Sequence, residues 1–278
     1  MSPNQLLALI EEARKALSSQ NRLFETDGRL VTLPRDEPVS VYGDIHGDYD
    51  TLKKLPLQRH GIKVFLGDYV DRGPKPIDVL VRLMNQVVNH PHQTVLLRGN
   101  HEGPADVPVH PRDFPARLQR RYPDSWPEVL GSFQRLFDSL ATAAVIPGEA
   151  LLIHGGIPST ASTLHDLGDA HQRHPADTTL VEALWNDPVT MDGYHPSSRG
   201  TGRHFGPDVV EKFLECNGLK ALIRGHESYH KGYHSMDRVL TLHTLSLPIY
   251  GSPTPAYLEA PPGTSYEPSK LGNLIRVT

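Results

Sequence analysis

Apolar residues recur along this chain with two different periods. In a segment near the N-terminus and in another at 76–90, apolar residues recur every three or four positions, which predicts helices with one buried face. In the first segment they are Leu6, Ile10, Ala13 and Leu17, behind Ser2 and Pro3 as cap and first turn. Short apolar runs predict strands at 39–42, 64–66, 95–97, 143–146, 150–153, 221–223 and 239–242. Strands that alternate with helices indicate an α/β fold.

Several of the predicted strands end in glycine and polar residues. In α/β sheets, ligands bind outside the carboxyl ends of the strands, so this pattern predicts an active site there. Two proline-rich stretches, 103–127 and 247–269, interrupt the rhythm and predict long ordered loops or flexible rims.

Composition narrows the class of protein. The net charge of -4 over 278 residues carries no sign of nucleic-acid binding, so an anion site has to be local. Residues 1–20 lack the pattern of a signal peptide, and the apolar runs are too short to cross a membrane. The single cysteine, Cys216, excludes an intramolecular disulfide and favours the cytoplasm.

The candidate chemistry spreads from Asp44 to Tyr250, which favours a single catalytic domain over 1–278. Its motif-bearing core is about 39–250, and we expect the N-terminal helix and the proline-rich C-terminal segment to pack on that core.

Two strand ends offer carboxylates. In the string Gly-Asp-x-His-Gly, Asp44 and His46 are two residues apart and point the same way on an extended chain, as two ligands of one ion would. In Gly-Asp-x-Val-Asp-Arg-Gly, Asp68 can bridge two ions, and the fork of Arg72 suits phosphate oxygens. The alternatives are an ordinary turn in the first string and a loop salt bridge between Asp71 and Arg72 in the second.

Three more strand ends carry Asn100 with His101, in the string Gly-Asn-His-Glu, then His154 and then His226. Neighbours on a loop diverge, so one of Asn100 and His101 can bind metal while the other transfers a proton. A lone histidine at such a position is usually a structural, hydrogen-bonded residue. It is the combination of all five strand ends, in this order, that favours a metal site.

These strings resemble the phosphoprotein phosphatase family of serine/threonine protein phosphatases, within the calcineurin-like metallophosphoesterase superfamily. The resemblance covers roughly 39–250, because the later strings His-Gly-Gly, Leu-Trp-Asn-Asp-Pro and Arg-Gly-His match as well. It implies a central β-sandwich of mixed sheets flanked by helices. It also implies a stand-alone catalytic domain, nearer to bacterial or archaeal members.

The resemblance further implies two metal ions and a set of roles. One ion is held by Asp44, His46 and Asp68, and the other by Asp68, Asn100, His154 and His226. The two ions share a water that attacks phosphorus directly as hydroxide. Arg72 and Arg199 bind the phosphate. His101 is the general acid that protonates the leaving group, and Asp71 holds its ring. Tyr250 overhangs the active site. The mixture of imidazole and carboxylate without thiolate suits manganese, with iron or zinc as rivals.

The expected activity is hydrolysis of phosphoserine and phosphothreonine, with a phosphorylated protein as the partner. Cleavage of dinucleotide polyphosphates or other small phosphoesters by the same centre is the alternative, which Glu102 disfavours because those hydrolases tend to carry Asp there. A catalytically inactive phosphopeptide-binding module is disfavoured by the complete set of ligands. Residues 102–122 lack the Ser-Arg-rich continuation of eukaryotic members, so no regulatory subunit is evident.

Overall fold

The structure, a computed structural model, describes residues 1–19 and 24–278. Its helices are α1 (Pro3–Ser19), α2 (Tyr49–Leu52), α3 (Pro76–Asn89), α4 (Phe114–Arg121), α5 (Trp126–Phe137), α6 (Leu164–Arg173), α7 (Thr179–Trp185), α8 (Pro207–Cys216) and α9 (Pro268–Leu271). Its strands are β1 (Glu25–Asp27), β2 (Leu30–Thr32), β3 (Val39–Tyr42), β4 (Ile62–Phe65), β5 (Thr94–Leu96), β6 (Ala143–Ile146), β7 (Ala150–Ile153), β8 (Asp187–Pro188), β9 (Tyr194–Pro196), β10 (Arg203–Phe205), β11 (Ala221–Arg224), β12 (Tyr233–Met236), β13 (Val239–Leu242), β14 (Ala256–Ala260) and β15 (Ile275–Val277).

Two mixed sheets form the centre of the molecule. A five-stranded sheet has the order β15-β14-β3-β4-β5, and a seven-stranded sheet has the order β1-β2-β6-β7-β11-β13-β12. Strands β3, β4 and β5 are parallel, as are β7, β11 and β13, whereas β14 runs antiparallel to β3. A small third sheet, β8-β10-β9, lies at the rim.

Successive residues of a strand contribute to two different parts of the hydrophobic core, because their side chains point to opposite faces of the sheet. Val39 and Val41 pack between the two sheets against residues such as Leu152 and Ile223 of the seven-stranded sheet. Tyr42, the next residue along β3, turns instead to the helices on the outer face. The two sheets therefore form a sandwich flanked by helices, and the predicted fold class is confirmed.

Helix α1 forms where the apolar spacing predicts it. Its four predicted core residues are buried, and it packs with α3 and α5 on the outer face of the five-stranded sheet. In the part of the chain that the structure describes, no helix combines the length and the apolar character needed to cross a membrane.

The prediction of loops was wrong in both proline-rich stretches. The first contains α4, with Phe114 and Leu118 buried one turn apart, because Pro115 stands in the first turn, where proline is compatible with a helix. The second contains β14, which lies between β15 and β3 in the five-stranded sheet. Its sequence, Ala-Tyr-Leu-Glu-Ala, lacks β-branched residues, so its pairing with β3 comes from tertiary contacts and not from local propensity.

Candidate metal centre and active site

The carboxyl ends of five strands meet at one edge of the sandwich. Asp44, Asp68 and Asn100 follow strands β3, β4 and β5 of the five-stranded sheet, whereas His154 and His226 follow β7 and β11 of the seven-stranded sheet. A β-bridge between Asp44 and His243 joins the two sheets at this edge. The structure thus brings together all six residues that the sequence predicts as metal ligands, and all six are buried.

Two groups of side chains could each hold a metal ion. In one, the ligand atoms of His46, Asp68 and His101 lie within 4.8 Å of one another, and in the other those of Asp68, His154 and His226 do. Asp68 belongs to both groups: its Oδ2 is 3.2 Å from Nε2 of His46, and its Oδ1 is 3.4 Å from Nε2 of His154. The two oxygens of one carboxylate therefore face two neighbouring positions, which is the geometry of a bridging ligand.

Either Asp44 or His101 could be the third ligand of the metal position that is next to His46 and Asp68. Oδ2 of Asp44 lies 3.8 Å from Nε2 of His46, while Oδ1 accepts a hydrogen bond from the backbone N–H of His226 at 2.8 Å. The imidazole of His101 comes close enough to His46 and Asp68 to act as a ligand as well. The distances alone allow either residue as the third ligand.

Two backbone carbonyls orient the histidines. Nδ1 of His46 lies 2.8 Å from the oxygen of Val70, and Nδ1 of His154 lies 3.0 Å from the oxygen of Leu66. A carbonyl can only accept, so each ring carries its proton on Nδ1 and turns the lone pair of Nε2 into the cluster. This outward hydrogen bond is the usual support of a histidine that binds metal.

At the centre of the metal cluster, hydrogen-bond acceptor atoms of several side chains face one another with no donor between them. Oδ1 of Asn100 lies 3.1 Å from Nε2 of His154, and that nitrogen lies 3.2 Å from Nδ1 of His226. Rotating the amide would turn its NH₂ toward these atoms and toward Asp68. With the oxygen inward, amide oxygen, imidazole lone pairs and carboxylate converge as they would on a cation, so the residues fit a divalent ion.

The charge balance of the cluster also suits a cation. Burial and the neighbouring charge of Asp68 raise the pKa of Asp44 to about 6, because two carboxylates share a site with little water. Burial lowers the pKa of His154, and burial together with His154 lowers the pKa of His226 well below its ordinary value. Both imidazoles are therefore neutral near pH 7, which is the form that binds metal.

The backbone is strained at the same residues. His46, Asp68, Asp71, Arg72 and His226 have φ angles of 43°, 56°, 62°, 65° and 70°. This left-handed region costs an ordinary L-residue roughly 1–2 kcal/mol, and such strain concentrates at functional sites. The strained turns aim these side chains toward one another from separate strand ends.

A buried histidine–carboxylate pair stands beside the metal groups. Nδ1 of His101 lies 2.6 Å from Oδ2 of Asp71, whose Oδ1 accepts from the backbone N–H of Phe114 at 2.7 Å. Nε2 of His101 lies 3.3 Å from Nη2 of Arg72. Asp71 thus pairs with His101, and the alternative of a loop salt bridge with Arg72 is not the arrangement found.

Two guanidinium groups reach the cluster from different loops. Nη1 of Arg72 donates to the hydroxyl of Tyr250, whose ring stacks on His46 with centroids 6.0 Å apart. Nε of Arg199 donates to Oδ2 of Asp187 at 2.5 Å, and its Nη2 lies 3.4 Å from the oxygen of His226. All the residues predicted for the site therefore converge at this edge.

Sequence reasoning did not assign roles to three residues that organise the site. Asp187 holds Arg199, and the buried guanidinium of Arg224 donates to Oδ1 of Asp187 at 2.9 Å and to the oxygen of Gly155 at 2.5 Å. Glu102 is 0% exposed and accepts hydrogen bonds from the loop of Asp68. All three stand inside the recognised strings, so the signal was present, but their partners are distant in sequence.

Comparison with known proteins also indicates a phosphoesterase fold. The profile of the calcineurin-like phosphoesterase family matches residues 38–229. A solved protein serine/threonine phosphatase from Saccharomyces cerevisiae, described as similar to human phosphatase PP5, is 25% identical, and the alignment covers 100% of this chain and 89% of that one with a TM-score of 0.81. A cold-active protein-tyrosine phosphatase of a psychrophilic Shewanella species shares the fold at 18% identity and a TM-score of 0.60, over 88% of this chain and 81% of that one.

Proposed function

Because the chain belongs to the calcineurin-like phosphoesterase family, we propose that it is a metal-dependent protein serine/threonine phosphatase. The observation that carries the proposal is the pair of His101 and Asp71, 2.6 Å apart beside the metal groups. The alkoxide of serine or threonine is a poor leaving group, so an acid has to protonate its oxygen as the bond to phosphorus breaks. The full-length similarity to a protein serine/threonine phosphatase supports the same activity.

We assign two ions to the cluster and share Asp68 between them. Asp44 and His46 complete the first position, and Asn100, His154 and His226 complete the second. Manganese is the metal we propose, with iron or zinc as alternatives, because the ligands mix imidazole and oxygen without a thiolate. Two divalent ions bound there supply Lewis-acid polarisation of the phosphoryl group and a water of lowered pKa.

The protein's own groups bind and protonate the substrate. Arg72 and Arg199 bind phosphoryl oxygens, and Tyr250 and Asp187 hold these two guanidinium groups in place through their hydrogen bonds. His101 gives a proton from Nε2 to the departing alkoxide oxygen. Asp71 accepts from Nδ1 and so fixes the orientation of the ring.

We place this activity in the cytoplasm, on phosphorylated proteins. The single cysteine, Cys216, supports a reducing compartment. Hydrolysis of dinucleotide polyphosphates by the same centre is the competing function.

A paired assay tests the proposal. We expect chelated protein to lose hydrolysis of an aryl phosphate and to regain it with Mn²⁺, and the restored enzyme to cleave phosphoserine and phosphothreonine peptides. A dinucleotide tetraphosphate is measured in the same preparation. A kcat/KM higher for the dinucleotide than for every peptide in a panel would overturn the protein phosphatase assignment, and full activity without metal would overturn the metal centre.

A further inference from the structure

The carboxylate of Glu102 binds the loop that presents Asp68. Oε2 accepts from the backbone N–H of Asp68 at 2.8 Å and of Gly99 at 3.2 Å. Oε1 accepts from the backbone N–H of Tyr69 at 2.8 Å and of Val70 at 3.2 Å. Three consecutive amides of one loop therefore converge on a single side chain from the neighbouring loop.

The shape of the Asp68 loop explains why these amides converge. Asp68 has a φ of 56°, whereas the φ angles of Tyr69 and Val70 are negative, and a left-handed residue in such a turn points the successive N–H groups toward a common point. Backbone concavities of this kind bind anions. Here the acceptor is part of the chain itself, because Glu102 is 0% exposed and fills the concavity.

A second set of contacts fixes Asp68 and Glu102 from the other side. The backbone N–H of His101 donates to Oδ1 of Asp68 at 3.0 Å, and Nε of the buried Arg98 donates to the carbonyl oxygen of Glu102 at 2.7 Å. Gly99 allows the loops to come this close, because a Cβ there would collide with the amide nitrogen and carboxylate of Asp68. Asp68 is thus held through its backbone by Glu102 and through its side chain by His101.

We propose that Glu102 is a positioning residue for the bridging carboxylate, and this rests on the metal centre proposed above. The two oxygens of Asp68 must each face a different ion, so a small rotation of its backbone weakens both positions at once. The carboxyl group of Glu102 therefore sets the geometry of the metal pair through the backbone of Asp68.

The test compares Glu102→Gln, which replaces one acceptor oxygen by an NH₂ group, and Glu102→Ala, which removes both oxygens, with a matched control. Glu149 is also a buried glutamate, 2% exposed, and it accepts from the backbone N–H of Tyr266 at 3.0 Å. It lies in the turn just before β7, at the opposite end of that strand from His154. Glu149→Gln therefore reports the effect of losing a buried carboxylate away from the metal centre.

The measurements are Mn²⁺ affinity by calorimetry, the electron paramagnetic resonance spectrum of the manganese pair, and kcat and KM for an aryl phosphate. Loss of a residue that supports metal ligands typically costs 10- to 100-fold in metal affinity or activity. We expect about that loss in Mn²⁺ affinity and in kcat for both Glu102 variants, with a weakened spin-coupling signature and little change in KM. Glu149→Gln should keep the wild-type values.

The outcomes separate this inference from the proposed function. Wild-type protein that binds fewer than two Mn²⁺ ions would refute the metal centre itself. Wild-type protein with two ions, and Glu102 variants that keep the same affinity, spectrum and kcat, would refute the positioning role alone. If both Glu102 variants fail to fold while Glu149→Gln folds, the proposal is also overturned, because Glu102 would then be required by the fold and not specifically by the metal pair.

Discussion

At the scale of single residues, the decisive question is what His101 does. Its Nδ1 is 2.6 Å from Asp71, and its Nε2 faces Arg72 at the edge of the metal cluster. If it is the acid, His101→Asn should lower kcat for a phosphoserine peptide by about 10² to 10⁴, the usual contribution of general acid catalysis. An aryl phosphate with an activated leaving group should lose much less, because its oxygen departs without a proton.

The control for this prediction is Asp71→Asn, which should show the same pattern more weakly because Asp71 only orients the ring. Metal content is measured in each preparation alongside both kcat values. Equal losses on the two substrates, or the loss of one metal equivalent, would overturn the acid assignment and make His101 a structural residue or a metal ligand instead.

The sequence was sufficient to find these residues but not their contacts. Asp44, Asp68 and His101 stand in strings whose order along the chain identifies them. The hydrogen bond from Arg199 to Asp187, and those that Glu102 accepts from three amides of the Asp68 loop, join separate loops, so only the folded backbone brings these groups together.

At the scale of secondary-structure elements, helix α6 shows how a close approach can override helix propensity. Gly168 lies in the middle of α6, and a Cβ there would collide with the carbonyl oxygen of Asp27 at the end of β1. Gly131 lies in the middle of α5, and the nearest atom to its Cβ would be Nη1 of Arg135 at 3.7 Å, an ordinary contact. The two glycines therefore form a matched pair.

We expect opposite effects from the same substitution at these two sites. Gly131→Ala should raise the free energy of unfolding by about 0.5–1 kcal/mol, because alanine restricts the unfolded chain and favours the helix. Gly168→Ala should lower it by about 1–3 kcal/mol, since the helix must move away from the β1–β2 turn. Urea titration of the metal-free variants measures both, and equal signs would contradict the close packing of α6.

Helices and strands were predictable where their own sequence shows the regular spacing of apolar residues. Helices α1 and α3 and strands β3, β6 and β7 follow their apolar spacing. Helix α6 begins with a capping box of Thr163 and Asp166, a local signal that sequence reasoning could have used. Strand β14 offered no such signal, because its partner β3 lies near the other end of the chain.

At the scale of the whole molecule, the proposed metal pair spans the two sheets. Asp44 and Asp68 come from one sheet and His154 and His226 from the other, so bound ions would hold the two sheet edges together. A ligand that binds only the folded state stabilises it by about 2.7 kcal/mol at 100 times its Kd. For a chain of this size, that corresponds to a rise in Tm of roughly 5 °C or more.

Calorimetric melting with and without Mn²⁺ checks this expectation. The rise should shrink strongly in His154→Ala, which removes a ligand from the seven-stranded sheet. The control is His60→Gln, at an exposed histidine outside the site, which should keep the full rise. A rise of the same size in His154→Ala would mean that manganese stabilises the protein from another place.

The position of β14 also has a consequence for the order in which the protein is made. A ribosome releases β3, β4 and β5, with the turns of Asp44, Asp68 and Asn100, long before it releases Ala256–Ala260. Until then β3 is an open edge on which another strand could pair. The nascent chain must therefore leave the edge of β3 unpaired until β14 emerges, and a copy terminated before β14 would expose that edge to its neighbours.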